Sequence, residues 1–142
     1  MGLRSIWDRL RGRGANTGLD TARRDLVVVV SSFDDAEAAS TALARGVGWS
    51  ATAPAVLRHH LRIPAVNRAE VIAVAAQDGY TPREDTPAAD PDELVLQRVQ
   101  LLDALHCSQE RSRMAGLAQR HEGTVLGWDA LQPGTDPGSA PD

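Results

Sequence analysis

Three times along this chain a helix-like run ends at glycine and an aromatic residue follows soon after. The stretches are "ALARGVGWSA", "VAAQDGYTP" and "LAQRHEGTVLGWDAL". This recurrence constrains the fold more than any other feature. A helix that turns back onto a sheet needs a residue tolerant of left-handed backbone just past its last turn, and glycine adopts that conformation without strain. A large ring at the start of the next strand then covers the helix end. The chain holds five aromatic residues, and Trp49, Tyr80 and Trp128 occupy these three returns. The recurrence therefore reads as structural punctuation.

The segments around each return repeat a pattern of strand, helix and strand. In the first unit "DLVVVVSS" is a continuous β-branched run, which predicts a buried strand. "FDDAEAASTALARG" predicts a helix, with Ser32 or Asp34 as its cap, acids in its first turn and Gly46 at its end. Ala36, Ala39 and Leu43 form its apolar face, and "VGWSATA" is expected to be a second strand. The second unit opens with "AVLRHHLRIP". There Leu57, His59, Leu61 and Ile63 alternate with Arg58, His60 and Arg62, as a half-buried strand requires. Pro64 ends that strand, "AVNRAEVIAVAAQDG" is the helix, and "YTP" opens a short strand. The third unit runs from "ELVLQRVQLL" through a helix over about Leu105 to His121 into "GTVLGWDAL". That helix places Cys107, Met114, Leu117 and Ala118 on one face. Two such units make a ferredoxin-like α+β sandwich, and a third extends it. The expected architecture is one α+β domain over residues 25–131, an antiparallel sheet backed by helices and built from three strand–helix–strand units.

The flanks differ in charge from this body. Residues 1–24 carry six Arg and two Asp, whereas the rest carries nine Arg and seventeen acids; the whole chain sums to −4. The acidic body argues against broad nucleic-acid binding, which needs clustered positive charge. In the arm, Leu3, Ile6, Trp7 and Leu10 share one face of a short helix, a stripe suited to an anionic membrane surface or a partner. Residues 14–24 read as linker, 82–93 as an exposed acidic loop, and 132–142 as a disordered tail. Every basic residue is Arg, which fits GC-rich coding of the actinobacterial kind. No apolar stretch reaches the roughly 20 residues that span a bilayer. The N-terminus has neither the apolar run of a secretory signal nor the residue pattern for myristoylation. A cytoplasmic location is expected.

Candidate chemistry is sparse. His59 and His60 are adjacent on a strand and point to opposite faces. His106 and Cys107 diverge on a helix. With no Cys-x-x-Cys and no His-x-x-x-His, neither metal nor other cofactor is expected. Cys107 reads as a small hydrophobe of a packed helix face. Asp34, Asp35 and Glu37 read as helix N-terminal charge. No phosphate-cradling loop and no nucleophile–base order is present, so the chain reads as non-enzymatic. Arg58, His60 and Arg62, with Arg98, are expected to form a basic stripe on the open sheet face. These strands lack the stacking aromatics of an RNA-binding sheet, so the residues read as solvated strand positions, with a protein-binding face for an acidic segment as the other reading. Trp49 and Trp128 read as structural, or as anchors for a partner if exposed.

The stretch "MAGLAQRHEGTVLGWDAL" resembles the end of the regulator of ribonuclease activity B family, the ribonuclease E inhibitor proteins. In that family a last helix carries a Leu-Ala pair, runs into glycine, and is followed by a strand ending in Gly-Trp. Leu117-Ala118, Gly123 and Gly127-Trp128 match this plan. The family has Tyr-Asp before its Gly-Trp; here Val125-Leu126 stand instead. The resemblance implies a non-catalytic regulator that binds a ribonuclease's protein surface and alters RNA turnover, its acidic body complementing an Arg-rich segment. Two other readings stay open. One is a small-ligand or dimerising regulatory domain whose Gly48-Trp49 and Gly79-Tyr80 loops line a pocket. The other is a membrane adaptor acting through residues 1–13.

Overall fold

The computed structural model describes residues 19–83 and 90–134. The apolar stripe Leu3, Ile6, Trp7 and Leu10 and most of the tail lie outside those residues. The described chain forms β1 (Leu26–Ser32), α1 (Ala39–Arg45), β2 (Pro54–Arg62), a 3-10 turn (Ala65–Asn67), α2 (Arg68–Ala76), β3 (Thr81–Pro82), β4 (Glu93–Leu101), α3 (Ala104–Arg120) and β5 (Thr124–Pro133). The strands make one antiparallel sheet in the order β1-β5-β2-β4-β3, so the architecture is α+β with an antiparallel sheet backed by helices. Each helix joins two strands that run in the same direction with one strand between them. β2 is central: it pairs with β4 without interruption from Pro54↔Leu101 to Arg62↔Glu93, and with β5 across a register shift between His60 and Leu61.

The first unit departs from expectation in three places. "VGWSATA" is a loop. Gly48 sits at φ +78, which breaks an extended run, and the Gln132 side chain holds the loop instead, accepting from Ser50 N at 2.8 Å and donating to Ser50 O and Ala53 O. One strand, β2, therefore closes the first unit and opens the second. The helix also starts later than expected, at Ala39, with no side-chain cap and no acid in its first turn. Asp34 instead accepts from Ala36 N, and Ser32 donates to Glu37, whose carboxylate also takes two bonds from Arg45. Ala36 is exposed, so Ala39, Ala42 and Leu43 make the apolar face. Finally, β1 is an edge strand, with Val27 and Val28 exposed. That edge is guarded: Val47 N donates to Val29 O, and Arg45 donates to Ser31 O. Both carbonyls are thereby withheld from an incoming strand.

The helix ends are also redistributed. Gly46 has φ −67; the left-handed positions fall at Gly48, Gly79 and, after α3, Glu122. Gly123 serves close approach instead, since a Cβ there would lie 2.3 Å from the Arg62 carbonyl oxygen. Tyr80 does follow its glycine into β3. Trp49 stays in the loop, and Trp128 lies in the middle of β5. α3 is capped by Asp103, which accepts from His106 N at 2.7 Å.

Three apolar clusters hold the layers together. Val30, Leu43, Leu57, Leu102, Cys107 and Trp128 pack α1 and the start of α3 on the sheet. Leu61, Ile63, Val71, Leu94, Met114 and Leu117 pack α2 and the rest of α3. Burial of each Leu or Ile contributes about 1.5–3 kcal/mol. The third cluster lies on the opposite face, where Leu19 covers Val56 and Val99, flanked by Leu26 and Leu131. Leu19, expected to be part of a linker, therefore packs on the sheet, while residues 20–24 are exposed. The domain also runs past residue 131: β5 continues to Pro133, and Gly134 N donates to Asp25 O.

Candidate functional site

The alternation along β2 sorts two sets of polar groups onto the two faces of the sheet. Leu57, His59 and Leu61 face the helices and are buried; Arg58, His60 and Arg62 lie on the open face. The expected stripe is therefore real in position, but it is not a row of bare cations. Asp129, the cross-strand partner of Arg58 on β5, accepts from Arg58 Nε and Nη2 at 2.7 Å each and from His60 Nε2 at 3.1 Å. Burial pushes the Asp129 carboxyl up, but the bonds and charges of Arg58 and His60 outweigh it and hold the group below the ordinary aspartate value. Arg62 pairs with Asp90.

Arg98 is a correction to the stripe. It stands opposite Leu57, so it lies on the helix side. Its guanidinium carbon sits 4.6 Å above the centre of the Tyr80 ring, and Nη1 donates to Asp78 O. There it joins a buried polar cluster. Tyr80 Oη–H donates to Glu110 Oε1 at 2.7 Å and accepts from His59 Nε2 at 3.4 Å, while Arg98 and Arg113 lie 3.5 and 3.3 Å from the same carboxylate oxygen. That directionality puts the His59 proton on Nε2. Burial, reinforced by the Arg98 charge, drives the His59 pKa down to about 3, so the ring is neutral. Burial likewise raises the Tyr80 phenol well above its ordinary value. With His59, Tyr80 and Glu110 all buried, the cluster fastens α3 to the sheet.

The two tryptophans assigned as anchors do not take that part. Trp128 is 1% exposed in the core, so no partner reaches it in the folded chain. Trp49 is half-buried and donates its Nε1–H to Leu43 O, closing the end of α1. Among the described residues the exposed aromatic ring is that of Phe33, at 55%. It sits 5.1 Å from the His60 ring, tilted by 55°, and lies over Gly127, where a Cβ would come within 2.3 Å of Phe33. Nothing local in the sequence marks Phe33 or Asp129 as a site residue. Their signal lies in strand pairing: His60↔Gly127 and Arg58↔Asp129 are neighbours across β2 and β5.

Cys107 is buried, and burial pushes its thiol up to about 11, which leaves it protonated near neutral pH. His106 beside it is exposed and bonded to Asp103. Among the described residues no group of three or more His, Cys, Asp or Glu is placed to hold a metal ion, and no helix is long and apolar enough to cross a membrane. Comparison of the chain with family models, with curated proteins and with solved structures returned no match.

Proposed function

We propose that this chain is a non-catalytic regulatory domain of ferredoxin-like type that docks a protein partner on the Phe33 end of its open sheet face and modulates a ribonuclease E-type enzyme in the cytoplasm. One observation carries the docking: a phenylalanine more than half exposed, seated on Gly127 and on His60, which itself joins the Arg58–Asp129 pair. A positioned, exposed aromatic beside polar groups is the form of an interface anchor. The choice of ribonuclease rests on the resemblance over residues 114–131. Gly127-Trp128 belongs to that motif, and Gly127 is also the seat of Phe33, so the motif touches the proposed surface.

The test starts with nuclease-treated affinity purification of the tagged full chain from its own host. The eluate is probed for a ribonuclease E-type enzyme, and RNA cleavage by that enzyme is then assayed with purified components. Retention of the ribonuclease and slower cleavage are expected. Phe33→Ala should weaken both by about tenfold, the scale of an anchor residue. No retained ribonuclease, or binding indifferent to Phe33→Ala, overturns the reading.

A further inference from the structure

We propose that the cleft at the other end of the open face is a binding site for a small organic carboxylate carrying an apolar tail, because arginines and, among the described residues, no acid line it over an aliphatic floor. This inference does not rest on the ribonuclease reading. Its centre, Leu131, lies four residues along β5 from Gly127, about 14 Å at the rise of an extended strand.

The cleft exists because residues 19–25 fold back over the sheet. Asp20 makes the turn, accepting from Ala22 N and Arg23 N, and Leu19 is anchored on Val56 and Val99. On the far side Arg83, whose N–H donates to Val95 O, closes the wall beyond β3. Between the two walls Leu26, Val56 and Leu131 form the floor, so the trough crosses the strands. Its volume is about 270 Å³. At about 30 Å³ per water-sized unit, that holds roughly nine or ten non-hydrogen atoms.

The lining's charge selects the ligand. The chain has more acids than arginines, yet Arg23, Arg58 and Arg83 all line the cleft and, among the described residues, no carboxylate does. Asp25 and Asp129, which pair with Arg23 and Arg58, lie outside the lining. Each of those pairs uses Nε and Nη2, two of the five N–H donors of a guanidinium. The remaining donors suit a planar carboxylate. An inorganic anion would leave the aliphatic floor unused, and a cation would face the guanidinium groups of Arg23, Arg58 and Arg83. A carboxylate with a short hydrocarbon tail matches both halves of the site. Gln97 completes the lining as a neutral polar neighbour.

The test is a titration of the full chain followed by backbone-amide NMR. Sodium octanoate is compared with two probes of the same tail, octylammonium chloride and octanol. Octanoate should shift the amides of Leu26, Val56 and Gln97 saturably and bind at least about tenfold more tightly than either control. Gln97→Glu, which sets a carboxylate in the lining, should weaken octanoate by about tenfold, and Arg83→Gln, outside the sheet, by a smaller factor. The dispersion of each variant's spectrum shows whether it has folded. Absence of saturable shifts, shifts confined to other parts of the molecule, controls that bind as tightly, or affinity indifferent to both variants would each overturn the site.

Discussion

Replacing Asp129 by Asn removes the charge that organises the open face while keeping the side-chain shape. The carboxylate accepts three bonds there, two from Arg58 and one from His60, and its side chain is 7% exposed. An amide offers one acceptor where two are used, and its NH₂ faces a guanidinium that can only donate. Breaking a buried pair from one side costs about 3–5 kcal/mol. Arg58 keeps 13% exposure and so recovers some hydration, which places Asp129→Asn near 3 kcal/mol. At about 4 °C per kcal/mol for a domain of this size, Tm should fall by about 12 °C. Urea unfolding followed by tryptophan fluorescence measures the same change. The pH dependence has a fixed sign. The folded Asp129 has a depressed pKa, so its contribution is fully present above the ordinary aspartate value of 3.8 and is lost as pH falls through the folded value. The gap between wild type and Asp129→Asn should therefore hold from neutral pH to about 4 and close below it. The double variant Arg58→Leu, Asp129→Leu removes both charges and should recover most of the loss, because well-packed apolar replacements of a buried pair are near neutral. A single-variant cost below about 1 kcal/mol, or a double variant no more stable than the single, would refute the claim that this pair joins β2 to β5.

Three further outcomes follow from the same geometry. The folded His59 stays unprotonated down to about pH 3, whereas an unfolded imidazole titrates near 6.5, so stability should fall as pH drops through that window by up to about 1.4 kcal/mol per unit, and His59→Gln should remove that slope in acid-dependent urea melts; an unchanged slope refutes the neutral ring. Gly127→Ala should cost about 1–3 kcal/mol in thermal melts by driving a Cβ against Phe33 and Ser32 O, and part of that cost should vanish in a Phe33→Ala background; strict additivity refutes the seat. Cys107 should resist a thiol reagent at pH 8 until urea unfolds the chain, and rapid stoichiometric labelling of the folded protein would refute its burial.

Legibility in the sequence follows the range of the signal. The alternation from Leu57 to Ile63 is local, and it placed both faces of β2 correctly. The face of α3 was legible for the same reason, although Glu110 sits among its apolar residues and Tyr80, thirty residues away, together with Arg98 and Arg113, explains why an acid belongs there. The first helix misled because Asp34, Asp35 and Glu37 look like N-terminal charge. Instead Glu37 pairs with Arg45, the Asp34 carboxylate accepts from Ala36 N, and Arg111, more than seventy residues distant, donates to the backbone carbonyls of Glu37 and Asp34. Arg98 was set on the wrong face because nothing in "ELVLQRVQLL" says which residue opposes Leu57; the pairing of β2 with β4 decides it. The β-branched run of β1 promised burial on both sides, which an edge position does not supply. Phe33 stayed hidden because its seat is a glycine on another strand.

Register couples the core to the open face. β2 has strands on both sides and paired residues along its whole length, so its side chains cannot slip independently of either neighbour. A shift of one residue would turn Arg58, His60 and Arg62 toward the helices and expose Leu57, His59 and Leu61. It would strand Asp129 without Arg58 and open the contact between His59 and Tyr80. The apolar cost alone excludes that arrangement, since Leu57 and Leu61 are both fully buried. The ion pairs add specificity at the same positions, because Arg58 meets a carboxylate in only one alignment of β2 with β5. The bulge between His60 and Leu61 fits this division. It resets the pairing beyond the Arg58–Asp129–His60 network and leaves Gly127 opposite His60, where an absent side chain admits the ring of Phe33. The alternation that packs the core therefore also seats Phe33 and sets Arg58 in the cleft wall, so changes in the β2 register should reach both proposed sites together.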